Sequence, residues 1–292
     1  MNVFADSSGS VGKISDGAGA FDNFGSGNIV NGTKEFLESN SLVAKTAFLI
    51  LVVIVFVLGL RLFSTIVSWM LSINQDPYLV KGLVDAKKFQ KIAQNPDDTG
   101  AITLLRSDNE DGGIEFTYSV WLFIDDLVYN QGRYKHIFHK GNDAISAGGM
   151  NEPNNAPGLY IAPDTNALVV VMNTFNDINE KITIDNIPIN KWVNVQIRVE
   201  NHNLDVFING KLAKRLVMNG VPKQNYGDVY VAMNGGFSGY ISNLRYFNEA
   251  LGTTAIDGIV DTGPDLKMGE SGTSISENKP QYLSMRWFFH GV

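Results

Sequence analysis

The side chains that could carry out chemistry are few, and their spacing works against it. There is no cysteine, which removes thiolate nucleophiles, cysteine-held zinc and iron–sulfur clusters together. His136 and His139 have H-x-x-H spacing. On a strand, side chains three apart face opposite ways, so the two are expected as solvent-edge histidines and not as joint ligands of one metal ion. No H-E-x-x-H pattern is present. Glu115 stands alone beside Phe116, and Asp125 and Asp126 are neighbours that point to opposite faces. Hydrolysis of a glycoside needs two carboxyl groups facing one another. The glycine-rich stretch near the N-terminus is no phosphate loop, because it lacks G-x-x-x-x-G-K-[ST] and no strand precedes it.

The elements that position these residues are strands. From residue 114 onward the apolar pattern has a period of two. Residues 116–124 (FTYSVWLFI) are β-branched and aromatic throughout. Residues 159–162 and 167–173 flank a Pro-Asp-Thr-Asn turn. In 192–200, Val193, Val195, Ile197 and Val199 alternate with Asn194, Gln196 and Arg198. Asn209-Gly210 joins 204–208 to 211–217 as a hairpin, since both turn positions need φ > 0. Strands at 228–233 and 240–247 flank a turn containing Gly235, Gly236 and Gly239, which allow a tight, close-packed corner. No long helix is expected after residue 95. The fold class is therefore all-β, an antiparallel sandwich or jelly roll. Trp121 and Trp192 are expected to cover its core or rim, with a carbohydrate-stacking platform as the alternative.

One segment has a different pattern. Residues 46–60 (TAFLILVVIVFVLGL) carry no charge, and 46–73 carry only Arg61. About 20 helical residues cross a bilayer core, and no polar stripe interrupts Phe48 to Leu58, so a transmembrane α-helix is expected over 42–73. Lys45 and Arg61 are read as snorkelling residues at its two boundaries, and Trp69 as an interfacial tryptophan. The segment starts too far into the chain, without a basic n-region or a small-residue cleavage site, to read as a cleavable signal. Basic residues after it (Arg61, Lys81, Lys87, Lys88, Lys91) outnumber those before it, which places the large C-terminal domain on the cytoplasmic side. The sole N-x-Ser/Thr acceptor, at Asn31, and the missing cysteines agree with that orientation.

The remaining segments divide as follows. Residues 1–41 are a flexible Gly/Ser-rich arm, with Phe4, Phe21 and Phe24 as its possible partner anchors. Residues 74–99 are a connector in which 78–93 forms a short amphipathic helix or a strand-like cover. The sandwich spans 100–255. Residues 256–292 form an extension whose aromatic end, Trp287, Phe288 and Phe289, is expected to dock on the sandwich, the membrane or a partner. The net charge of −7, mostly beyond residue 73, argues against a nucleic-acid partner.

The order W-x-N-V-x-I-x-V, then L-D-V-F-I-N-G-K-L, then G-G-F-S-G-Y-I-S-N-L-R-Y-F-N-E-A-L resembles the concanavalin A-like lectin/glucanase superfamily in its laminin-G-like or pentraxin-like branch. The segments FTYSVWLFID and HIFHKG resemble its early strands. A glucanase of that superfamily would carry an E-[ILV]-D-x-x-E segment, which is missing here, so no enzyme activity is expected. The resemblance admits calcium as the one cofactor, with Asp125, Asp126, Asp143 and Asp164 as candidate ligands. A single-pass anchor joined to such a sandwich resembles membrane proteins of large icosahedral double-stranded-DNA viruses, the chlorovirus type in particular. It implies a structural role, a minor capsid protein tying an internal virion membrane to the shell, with the bilayer and other capsid or membrane proteins as partners. A membrane-tethered carbohydrate-binding lectin is the alternative, and a glycoside hydrolase ranks last.

Overall fold

The computed structural model describes residues 42–71, 74–110 and 113–268. They belong to two compact units divided after Ser72. The expected arm with Phe4, Phe21 and Phe24, the aromatic end with Trp287, Phe288 and Phe289, and the last two residues of the expected 42–73 helix lie outside the described residues.

The first unit is helix α1 (Leu42–Leu71), 30 residues and thus about 45 Å long. Its window Lys45–Met70 is long and apolar enough to cross a membrane, and none of it is buried. Leu58 and Trp69 are exposed, Phe48 is half-buried, and Lys45 and Arg61 lie about 24 Å apart along the axis. The hydroxyls of Thr46, Ser64 and Thr65 donate to the carbonyls of Leu42, Arg61 and Arg61. The helix thus satisfies these polar side chains by itself, as an apolar medium requires.

In the second unit the described residues form thirteen strands and a further helix. In chain order the strands are β1 (Tyr78–Asp85), β2 (Gln90–Ile92), β3 (Asp108–Glu110), β4 (Gly113–Asp126), β5 (Lys135–Gly141), β6 (Gly158–Ile161), β7 (Ala167–Met172), β8 (Glu180–Asp185), β9 (Trp192–Glu200), β10 (Asn203–Ile208), β11 (Lys211–Val217), β12 (Asp228–Val231) and β13 (Ser238–Phe247). Helix α2 (Thr253–Thr262) follows. Sheet I runs β1-β13-β4-β9-β10-β11, with β3 also on β4, and sheet II runs β2-β12-β5-β6-β7-β8. All these pairings are antiparallel, the expected sandwich. Alternate residues of β4 (Phe116, Tyr118, Val120, Leu122) enter the core and meet Phe138, Leu159, Leu168 and Val170 from sheet II. The hairpin at Asn209-Gly210 forms as expected, with φ of 49° and 79°.

Two segments differ from the sequence expectation. Residues 74–99, read as a connector, supply β1 and β2, one strand to each sheet. Of the two readings for 78–93, the strand holds. Register shifts along β1 break its alternation, and the Gly82 amide donates to Asn243 Oδ1 from the paired strand. Residues 253–262, divided by the expected boundary between sandwich and extension at 255, form the short helix α2. Three threonines and Gly258 make it a poor intrinsic helix, and packing of Ile256 against Phe207, Phe247 and Leu251 stabilises it instead.

Candidate functional site

The two strand histidines are buried together, not set at a solvent edge. The β5–β6 register slips between His136 and Phe138, a bulge that brings both imidazoles to the outer side of sheet II. His136 is 1% exposed and His139 0%. Their rings meet edge-on with centroids 4.8 Å apart, and His136 Nε2 lies 2.6 Å from His139 Nδ1. The partners fix the protons. The Met233 amide donates to His136 Nδ1 at 3.0 Å, so that nitrogen is bare and Nε2 carries the hydrogen. His136 then donates to His139 Nδ1, and His139 Nε2–H donates to the Asn142 carbonyl at 2.8 Å. Both rings are neutral. Burial, then the neighbouring His139, pushes His136 well below the ordinary imidazole value, and burial takes His139 down to about 4. All four ring nitrogens are committed to this chain of bonds, leaving none for a metal ion.

Aromatic rings extend the cluster. Tyr230 stacks on His139 at 5.0 Å, and Tyr160 meets His136 edge-on at 5.4 Å. The Tyr160 hydroxyl donates to Asn155 Oδ1 and accepts from the Asn151 amide. The β5–β6 connection, 142–157, thereby closes over the outer face of sheet II.

The acids proposed for calcium are dispersed among turns. Asp125, Asp143 and Asp164 are exposed. Asp126 accepts the Val128 and Tyr129 amides, both at 2.9 Å. The Tyr129 amide, with Ser238 beside it, holds its carboxyl below the usual carboxylate range. Among the described residues no three His, Asp or Glu side chains come together as a metal site. Trp121 is buried on the outer face of sheet I, so it is no open stacking platform, and the half-buried Trp192 packs against Phe123 with centroids 5.4 Å apart.

A cavity of about 140 Å³ opens between the two sheets at the end of the sandwich where β1 begins. Its floor is aromatic, with Phe116 and Tyr118 from β4 and Tyr246 from β13. Its walls carry Arg106, Lys140 and Lys223, together with Gln94, Gln224 and Asn225, and no carboxylate. Lys140 is buried and its Nζ donates to the Gly227 carbonyl at 2.7 Å. Burial lowers its ammonium to about 8, and the nearby Asp228 partly opposes that. Gln224 donates to Ser107 Oγ at 2.5 Å while its buried Oε1 accepts nothing. Cations, amides and rings without a competing acid suit an anionic or hydroxyl-rich group. Sequence reasoning misses this set. Arg106, Lys140 and Lys223 come from three distant segments, and nothing in their spacing links them.

Comparison with known proteins places the sandwich. None of the curated proteins matches the chain. Among solved structures it is similar to the binding domain of botulinum neurotoxin DC, solved with rat synaptotagmin II. That match has 19% identity and a TM-score of 0.39, over 51% of this chain and 36% of that one. It is also similar to the binding domain of botulinum neurotoxin serotype G (13% identity, TM-score 0.43, 64% and 46% covered). A third is the binding domain of Paraclostridial Mosquitocidal Protein 1 (13%, 0.43, 63% and 46%). The chain spans between a third and a half of the length of these structures. The family model described as the concanavalin A-like lectin/glucanases superfamily matches residues 97–257, more than half of the chain. With that match laid over the two-sheet sandwich, the chain belongs to the concanavalin A-like lectin/glucanases superfamily.

Proposed function

We propose that this protein is a non-enzymatic, single-pass membrane-anchored binding module, one that ties an internal virion membrane to the surrounding capsid shell. The observation that carries the anchored reading is α1, 30 residues of exposed apolar helix with the hydroxyls of Thr46, Ser64 and Thr65 satisfied within it. Lys45 and Arg61 sit at the spacing of two snorkelling boundary residues. The basic excess after the helix supports a cytoplasmic, shell-facing sandwich. The sequence supplies no facing carboxylate pair for glycoside hydrolysis. Carbonate extraction tests the anchor, and protease protection of residues 168–247 in sealed membranes tests the orientation. Purified particles should contain the protein in stoichiometric amount, and particles without it would refute the virion role.

The cavity favours a second reading. Its amides and rings suit a glycan, which would make the module a membrane-tethered lectin. A glycan array with and without calcium separates the two. A hit abolished by Gln224→Ala selects the lectin, and a blank array selects the tether.

A further inference from the structure

Around the cavity, two loops carry apolar side chains that are exposed among the described residues. The connection 173–179 and the segment 217–227 are zipped together by backbone bonds. The Phe175 amide donates to the Val221 carbonyl at 3.0 Å and the Lys223 amide to the Asn173 carbonyl at 2.9 Å. Asn176 Nδ2 donates to the Asn219 carbonyl at 2.9 Å. The tip is thus a built surface, and it holds Phe175 and Tyr226 outward at 71% and 79% exposure with Val221 at 46%. Leaving such side chains in water forgoes the burial that normally stabilises them, and grouped exposure of this kind marks an interaction surface.

The charge beside these side chains points to the partner. Lys223 Nζ stands 5.3 Å from the Phe175 ring centroid, and Arg106 is exposed on the cavity wall beside it. Acids nearby are largely committed. Glu180 is buried and accepts the Asn219 amide and the Thr174 hydroxyl. Asp228 is paired with Lys91. The exposed Asp177 caps the Asn179 amide. An aromatic tip with a basic collar has the composition of a bilayer interface, in which rings enter the headgroup layer and cations meet lipid phosphates and carboxylates. The chain supplies the bilayer as well. Residues 72–77 join α1 to β1 in the sequence. Tyr78, which opens β1, pairs with Arg245, next to the Tyr246 ring that lines the cavity.

We propose that the end of the sandwich formed by residues 173–179 and 217–227 lies on an anionic bilayer, with Phe175, Val221 and Tyr226 in the interface and Arg106 and Lys223 against the lipid headgroups. The inference rests on the membrane-anchored reading and adds that the domain is held to the membrane by its own surface, not by α1 alone. The cytoplasmic leaflet, where the charge bias places the domain, is the anionic one.

The chain has no cysteine, so a single introduced thiol labels uniquely. Full-length Phe175→Cys, Tyr226→Cys and Val128→Cys proteins, each carrying an environment-sensitive fluorophore, are reconstituted in phosphatidylcholine vesicles with or without phosphatidylserine. Val128 is 75% exposed on the loop after β4, at the opposite end of the sandwich. With phosphatidylserine, spin-labelled lipid should quench the probes at 175 and 226 several-fold more than the probe at 128. Removing phosphatidylserine, or adding R106E together with K223E, should abolish the difference. Equal quenching at all three sites overturns the proposal. So does quenching that ignores both lipid charge and the double substitution. A blue shift at 175 without lipid quenching also overturns it and assigns the tip to a protein partner. Carbonate extraction of the same samples keeps the two readings apart. Protein released by carbonate refutes the anchor, whereas protein retained with equal quenching refutes the docking alone.

Discussion

The two sheets of the sandwich hide their outer faces by different chemistry. Sheet I presents a row of small polar side chains, among them Thr117, Ser119, Asn194, Gln196 and Ser242, all buried. The chain after β13 covers them by hydrogen bonding. Thr117 donates to the Glu249 carbonyl and accepts the Leu251 amide, Gln196 donates to the Ile256 carbonyl, and Ser242 exchanges bonds with Asp265. Sheet II presents rings, Tyr160, His136, His139 and Tyr230, beneath the 142–157 connection. One lid is a helix seated on amides and hydroxyls, with the Arg198 guanidinium, paired to the buried Asp205, donating to the Leu251 carbonyl. The other is a loop seated on aromatic surface and two neutral imidazoles. The same fold therefore carries one lid with a pH response at its centre and one built largely on groups that do not titrate.

Removing the central ring of the loop lid should have the largest effect. Tyr160 is fully buried, touches His136 and Tyr134, and its hydroxyl joins Asn151 to Asn155. Tyr160→Ala leaves a cavity and two unpaired polar groups, with an expected loss of about 3–5 kcal/mol in chemical denaturation. The corresponding anchor of the helix lid is Ile256, also fully buried. Ile256→Ala should cost about 2–4 kcal/mol. Hydrogen exchange should localise the damage, to 142–157 in the first variant and to 253–262 in the second. Exchange that spreads over both lids in either variant would mean that the faces are not independent.

Much of the sandwich is legible in the sequence because the lids leave the polar outer positions in place. Asn194, Gln196 and Arg198 mark alternate residues of β9 even though the first two are buried. Asn209-Gly210 announces its turn because few other pairs tolerate two positive φ values. The histidine pair is illegible for a local reason. Nothing in His-Ile-Phe-His marks a bulge, and strict alternation sends the two rings apart. Helix α2 is hidden by its composition, since packing and not propensity forms it. The basic cavity is hidden by distance, because only the closed sandwich brings segment 103–107 beside 223–226.

Acid should separate the lids next. His139 falls from the ordinary 6.5 to about 4 in the fold, and His136 falls as well. Between those values the unfolded chain binds protons that the native rings refuse. The histidine contribution to stability should therefore be constant above about pH 6.5 and decline as the pH falls towards 4, by on the order of 1–3 kcal/mol for His139. Asp126 acts in the same direction in a lower window. Its lowered carboxyl adds stability above its ordinary value of 3.8 that is lost only on further acidification, so its window lies below that of the histidines. Denaturation at a series of pH values should show the upper decline in the natural chain and a shallower one in His139→Gln. Hydrogen exchange at pH 4.5 should rise in 142–157 before 253–262. A pH profile unchanged by His139→Gln would remove the histidine latch from the account.

The smallest expected effect tests how tightly the helix lid is seated. Gly210 holds the second position of the β10–β11 turn at φ 79°, and a methyl group placed there would stand 2.8 Å from Asp257 Oδ1 and 3.5 Å from a Val260 methyl, both on α2. Gly210→Ala meets two costs. The left-handed backbone disfavours any side chain by about 1 kcal/mol. The contact with Asp257 adds to it only if α2 cannot give way. A second variant, Gly210→Ala with Asp257→Ala, divides the two. If the helix is fixed by Ile256 and its hydrogen bonds, the double variant should recover part of the loss, on the order of 0.5 kcal/mol, with the backbone cost left behind. If α2 rides loosely on the sheet, the side chain swings aside and the two substitutions add. Coupling in this cycle would show that the turn and the helix lid settle as one piece, a rigidity that the loop lid over the histidines, closed by bonds that acid can break, does not share.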